Sequence, residues 1–102
     1  MGGFWPEECP IKAGEWAYIQ IKYRLGLREL QVVKCIACGC RDKEIAEKME
    51  VTLTTAKEYV RFVLRKFRAR NKVSLLIKLF NDARSSEVNT YIKKYMKNEE
   101  NM

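Results

Sequence analysis

The segment LTTAKEYVRFVLRKFR, from Leu53 to Arg68, constrains the fold of this chain more than any other stretch. Ala56, Val60, Val63, Leu64 and Phe67 recur at three- and four-residue intervals, which lines one side of an α-helix with apolar groups. Lys57, Arg61, Arg65 and Arg68 recur in the same way on another side. A helix over about 53–68 must therefore bury its back, and its basic front faces either water or a polyanion. A solvated face balanced by ion pairs is the plainer reading. Between Lys57 and Lys72, however, seven basic residues meet a single acid, Glu58. With so little local neutralisation, the phosphates of a nucleic acid are the expected partner. The formal charge of the 102-residue chain, +7, points the same way.

The neighbouring segments supply what that helix packs against. Leu30, Val33, Ile36, Ala37 and Cys40 share a helical stripe that predicts a helix over about 27–38, and Gly39 follows as its stop. Asp42 stands where an N-cap is wanted, and Ile45, Ala46 and Met49 form the inward stripe of a short second helix. Thr52 is placed to cap the basic helix, and Asn71 the one after it. In that later helix Val73, Leu76, Ile77 and Phe80 make one apolar face, while Leu75, Leu79 and Ala83 add a second. A helix wet on one side needs only one such face. The surplus predicts burial against the N-terminal segment, a last helix or a second subunit. That last helix is expected after Ser85 or Ser86, with Val88, Tyr91, Ile92, Tyr95 and Met96 as its apolar face.

The N-terminal residues are less explicit. Pro6 and Pro10 mark residues 1–10 as a loose leader. In IKAGEWAYIQIKYRL the aromatic and aliphatic residues alternate as in a strand, yet a short helix fits almost as well. Helix is the expectation, with its aromatics covering a core. The leader has no basic region followed by an apolar run, and no stretch suits a membrane span, so a cytoplasmic protein without membrane contact is expected.

Two short helices, a tight turn and a longer basic helix make a helix-turn-helix, in which the second helix of the pair enters the major groove. The residues that fill this frame resemble a LuxR/GerE-type DNA-binding domain. The resemblance rests on Arg28–Glu29, Ile36–Ala37, Gly39, Lys43–Glu44–Ile45–Ala46, Val51–Thr52, Thr55–Ala56–Lys57 and Arg70–Asn71–Lys72, without a gap across half the chain. It implies an all-α fold: a tetrahelical helix-turn-helix domain over 25–82, with an N-terminal extension over 1–24 and an additional C-terminal helix and tail over 83–102. It further implies a transcriptional regulator that binds double-stranded DNA, commonly as a homodimer through the fourth helix of the domain. Base contacts would fall on Lys57, Glu58 and Arg61. Phosphate contacts would fall on Lys43, Thr52, Thr55, Arg65 and Lys66. Lysine and arginine can donate to guanine, and a glutamate can accept from cytosine; pairing of Glu58 with Arg61 or Arg65 is the equal alternative. Arg28 and Glu29 are expected to brace the domain internally. Four positions depart from the family pattern: Gly26 for a threonine cap, Glu50 for a turn glycine, Tyr59 for histidine and Arg68 for glycine.

Three of the four cysteines crowd into CIACGC, residues 35–40. Together with Cys9, the thiols of Cys35, Cys38 and Cys40 offer the ligand count of a zinc or iron–sulfur site, and so a metal or redox sensor on the same fold. The spacing argues against it, because Cys35 and Cys40 occupy apolar positions where a buried thiol acts as a small hydrophobe. A sigma-factor-like adaptor contacting RNA polymerase is the other alternative. The chain has no histidine and no phosphate-cradling glycine loop, so neither catalysis nor a cofactor is expected.

Overall fold

The computed structural model describes residues 11–85. Five helices follow one another there: α1 (Ala13–Tyr23), α2 (Leu27–Ala37), α3 (Asp42–Met49), α4 (Leu53–Phe67) and α5 (Lys72–Ala83). No strand occurs among the described residues, in accord with the all-α expectation. The leader and the helix expected after Ser85 or Ser86 lie outside them.

The starts of α1, α2 and α3 follow a shared rule. A carboxylate three residues into the helix accepts the backbone N–H of the residue before it, satisfying an amide that has no intrahelical partner. Glu15 does this for Lys12 at 2.8 Å, Glu29 for Gly26 at 2.8 Å and Glu44 for Arg41 at 2.7 Å. Gly26 therefore leaves α2 anchored despite lacking a capping side chain. Asp42 is not the N-cap expected of it. Arg41 holds that position, and Asp42 is the first helical residue, with its carboxylate 2.6 Å from Lys72 Nζ. Thr52 and Asn71 do cap as expected: their side-chain oxygens accept from Thr55 N–H at 3.1 Å and Ser74 N–H at 2.8 Å.

Four helices end on a left-handed residue, with the next amide turned back onto the helix. Gly39 has φ +81°, and Cys40 N–H reaches Cys35 O at 3.0 Å. Arg24, Glu50 and Arg68 adopt the same conformation at φ 54°, 58° and 54°. Glu50 and Arg68 thus keep the backbone geometry of the glycines they replace, at a cost of about 1 kcal/mol each for a residue bearing a Cβ.

α2 packs against α3, α4 and α5. Its buried arc is accordingly wider than the expected stripe. Val32 and Cys35 join Val33 and Ile36 inside, while Leu30, Ala37 and Cys40 are only partly covered. α1 is a helix, as expected, and it packs on α5. Ile11, Trp16 and Ile19 bury themselves in the common core. Tyr23 stacks on Phe67 of α4, with ring centroids 3.9 Å apart, and its hydroxyl donates to Asp82 of α5. Lys22 Nζ reaches the same carboxylate at 3.0 Å. Residues 11–24 are thus part of the core of the helical unit. It accounts for some of the apolar surplus on α5, where Leu75, Leu79 and Ala83 are buried. Val73 and Ile77 remain 64% and 58% exposed.

Candidate nucleic-acid interface

α3 and α4 form the helix-turn-helix pair, joined through Glu50–Thr52. Arg28 donates to Met49 O at 3.3 Å and so braces the end of α3 from α2, the internal role expected of it. The back of α4, Ala56, Val60, Val63 and Phe67, is buried. This fixes the rotation of the helix and turns Lys57, Glu58, Arg61 and Arg65 to solvent. Among the described residues, no ion pair joins Glu58 to Arg61 or Arg65, and none engages Lys57. The face therefore keeps its positive charge toward solvent. Thr52 and Thr55 stand at its N-terminal end, with their hydroxyl oxygens 3.0 Å apart. Lys43 is exposed on the first turn of α3, the helix packed most extensively on α4.

Lys66 behaves differently. Its ammonium donates to Glu29 Oε1 at 2.7 Å and to Arg24 O at 2.7 Å. Of the five residues assigned to phosphate, it is the one whose charge is already engaged within the protein. Burial works to raise the pKa of the Glu29 carboxyl, but the hydrogen bonds from Lys66 and from Gly26 N–H, with the Lys66 charge, lower it overall. Other lysines are held in the scaffold too. Lys72 pairs with Asp42, and Lys78 donates to the terminal carbonyls of α4 at Phe67 (3.0 Å) and Arg68 (2.8 Å). The basic residues thus divide into a water-facing set on α4 and a set that ties helices together.

The charge pattern of α4 does not single out Phe62. It is 43% exposed and stands with Glu58, Arg61 and Arg65 at i, i+3, i+4 and i+7, a single ridge of α4. That spacing was visible in the sequence. An open groove of about 310 Å³ runs beside it, lined by Glu29, Thr55, Glu58, Tyr59 and Phe62.

The cysteines occupy the end of α2. Cys35 is buried, while Cys38 and Cys40 are partly covered. Burial, then the neighbouring Cys40 thiol that hydrogen-bonds to it, pushes the Cys35 thiol up to about 12, opposite to what a thiolate ligand requires. Among the described residues no three Cys, Asp or Glu side chains converge as a metal site, and Cys9 lies outside them. No described helix is long and apolar enough to cross a membrane.

Comparison with known proteins places this architecture. Residues 24–79, from the end of α1 to Leu79 of α5, match the family model of bacterial regulatory proteins of the luxR family. A 49-residue stretch, 48% of the chain, is 41% identical to the HTH-type transcriptional activator RamA of Corynebacterium glutamicum. The chain covers 17% of the length of that relative. No solved structure matches the chain. With the family model spanning more than half of its residues, the chain belongs to the luxR family of bacterial regulatory proteins.

Proposed function

We propose that this chain is a sequence-specific regulator of transcription that binds duplex DNA with α4 in the major groove. The observation that supports this most strongly is the unneutralised face of α4, where Lys57, Arg61 and Arg65 stand exposed on a helix whose back is locked into the core. In this reading Lys57, Glu58 and Arg61 contact base edges. Lysine and arginine suit guanine, and an unpaired glutamate suits the cytosine amino group. Lys43, Thr52, Thr55, Arg65 and Lys66 hold phosphates, and Lys66 also ties α4 to α2 through Glu29. Family membership and the name of the RamA relative support the regulatory role.

Val73 and Ile77, exposed beside the partly covered Leu76 and Phe80, support association of two copies through α5. A two-fold dimer would set its α4 helices about one helical turn apart on the duplex. The DNA-binding unit then comprises 25–82 braced by α1. Titration with random-sequence duplex at several salt concentrations tests the reading. Affinity should fall steeply as salt rises, because phosphate contacts release counterions. Binding that is absent, or insensitive to salt, would overturn it.

A further inference from the structure

We infer that Phe62 is a specificity residue that recognises the 5-methyl group of thymine beside the bases read by Glu58 and Arg61; this rests on the proposed insertion of α4. The residue has no role in the core. Ala56, Val60, Val63 and Phe67 fill the buried side of α4, whereas Phe62 is 43% exposed on the opposite ridge between Glu58 and Arg65. An aromatic ring at the centre of a charged, water-facing ridge has little to gain from packing within the chain. The major groove offers one distinctive apolar group, the thymine methyl, and phenylalanine is among the side chains suited to it.

The ring is also held in place. The Arg65 guanidinium lies 5.8 Å from its centroid and the Lys66 ammonium 5.2 Å, both within cation–π range. Lys66 is itself fixed by Glu29 and Arg24 O, so the ring leans on an anchored partner. The groove beside it, walled by Thr55, Tyr59 and Phe62, leaves room for a methyl group to enter between helix and base.

The test compares thymine with uracil, which differ at that position only by the methyl. Duplexes enriched by the full chain from a random pool are remade with dU in place of each dT in turn, and binding is measured for the native chain, Phe62→Ala and Phe62→Leu. The native chain should lose about fourfold in affinity at one dU position per half-site, the factor expected for one methyl group left in water. Phe62→Ala should bind the dT and dU forms equally, and Phe62→Leu should keep part of the preference. A native chain that binds every dU duplex as well as its dT parent overturns the assignment, as does an unchanged preference in Phe62→Ala. If the chain enriches no duplex at all, the insertion of α4 fails as well, which separates the two outcomes.

Discussion

Lys66 Nζ lies 2.7 Å from Glu29 Oε1 and joins the C-terminal half of α4 to the first turn of α2. Glu29 at the same time accepts the Gly26 N–H that opens α2. One carboxylate therefore starts a helix and sets the position of α4. Glu29→Gln should destabilise the fold by about 1 kcal/mol, the range for a partly exposed ion pair with an added backbone bond. The sign with pH follows from the lowered folded-state pKa of Glu29. Its contribution is present above the unfolded value and is lost as the pH falls through the folded one. Chemical denaturation between neutral pH and about pH 3 should show a shallower acid decline in the variant.

Glu50 and Arg68 end α3 and α4 in the left-handed conformation. Glu50→Gly and Arg68→Gly should each stabilise the fold by about 0.5–1 kcal/mol, the cost of the Cβ less the entropy that glycine adds to the unfolded chain. Gly39→Ala should do the reverse by about 1 kcal/mol. An added Cβ there meets nothing within 4 Å, so any loss measured by thermal melting comes from the backbone.

Trp16 is only 6% exposed, in a helix that precedes the residues matched by the family model. Trp16→Ala should cost about 3 kcal/mol, as expected for removing a large ring from a packed core. Tyr23→Phe keeps the stack on Phe67 but removes the hydrogen bond to Asp82, and should cost about 1 kcal/mol. Melting curves that leave the remainder of the fold unaffected by Trp16→Ala would show α1 to be an appendage.

Alkylation at pH 8 should modify Cys35 far more slowly than Cys40. Burial and the adjacent thiol keep Cys35 protonated, while Cys40 is partly accessible. Mass spectrometry of the partly alkylated chain checks this. Rapid labelling of Cys35 in the folded protein would contradict its place in the core.

Much of this was legible in the sequence because helices declare themselves through periodicity and punctuation. The stripes on α3 and α4, the caps at Thr52 and Asn71 and the stop at Gly39 all follow from spacing and local backbone chemistry. What depended on contacts distant in sequence was harder to read. Asp42 looked like a cap because the lysine it meets, Lys72, is thirty residues further on. The hold of Lys66 on Glu29 and Arg24 O was equally unreadable, because these partners lie about forty residues earlier in the chain. The breadth of the buried arc on α2 reflects three neighbours, which a single helix's pattern does not encode. The exposure of Phe62 follows from the rotation that the buried residues impose on α4, which the charge pattern of the helix does not encode.

In the proposed function, the exposed face of α4 reads DNA sequence. Selection of bound sites from a random duplex pool, run in parallel with the native chain, Lys57→Ala and Arg61→Ala, tests it most directly. The native chain should enrich a motif, with half-sites about one helical turn apart if it binds as a dimer. Each variant should lose preference at one position per half-site, at a cost there of ~1–3 kcal/mol, and keep it elsewhere. Enrichment of the same motif with the same strength by all three proteins would contradict the account.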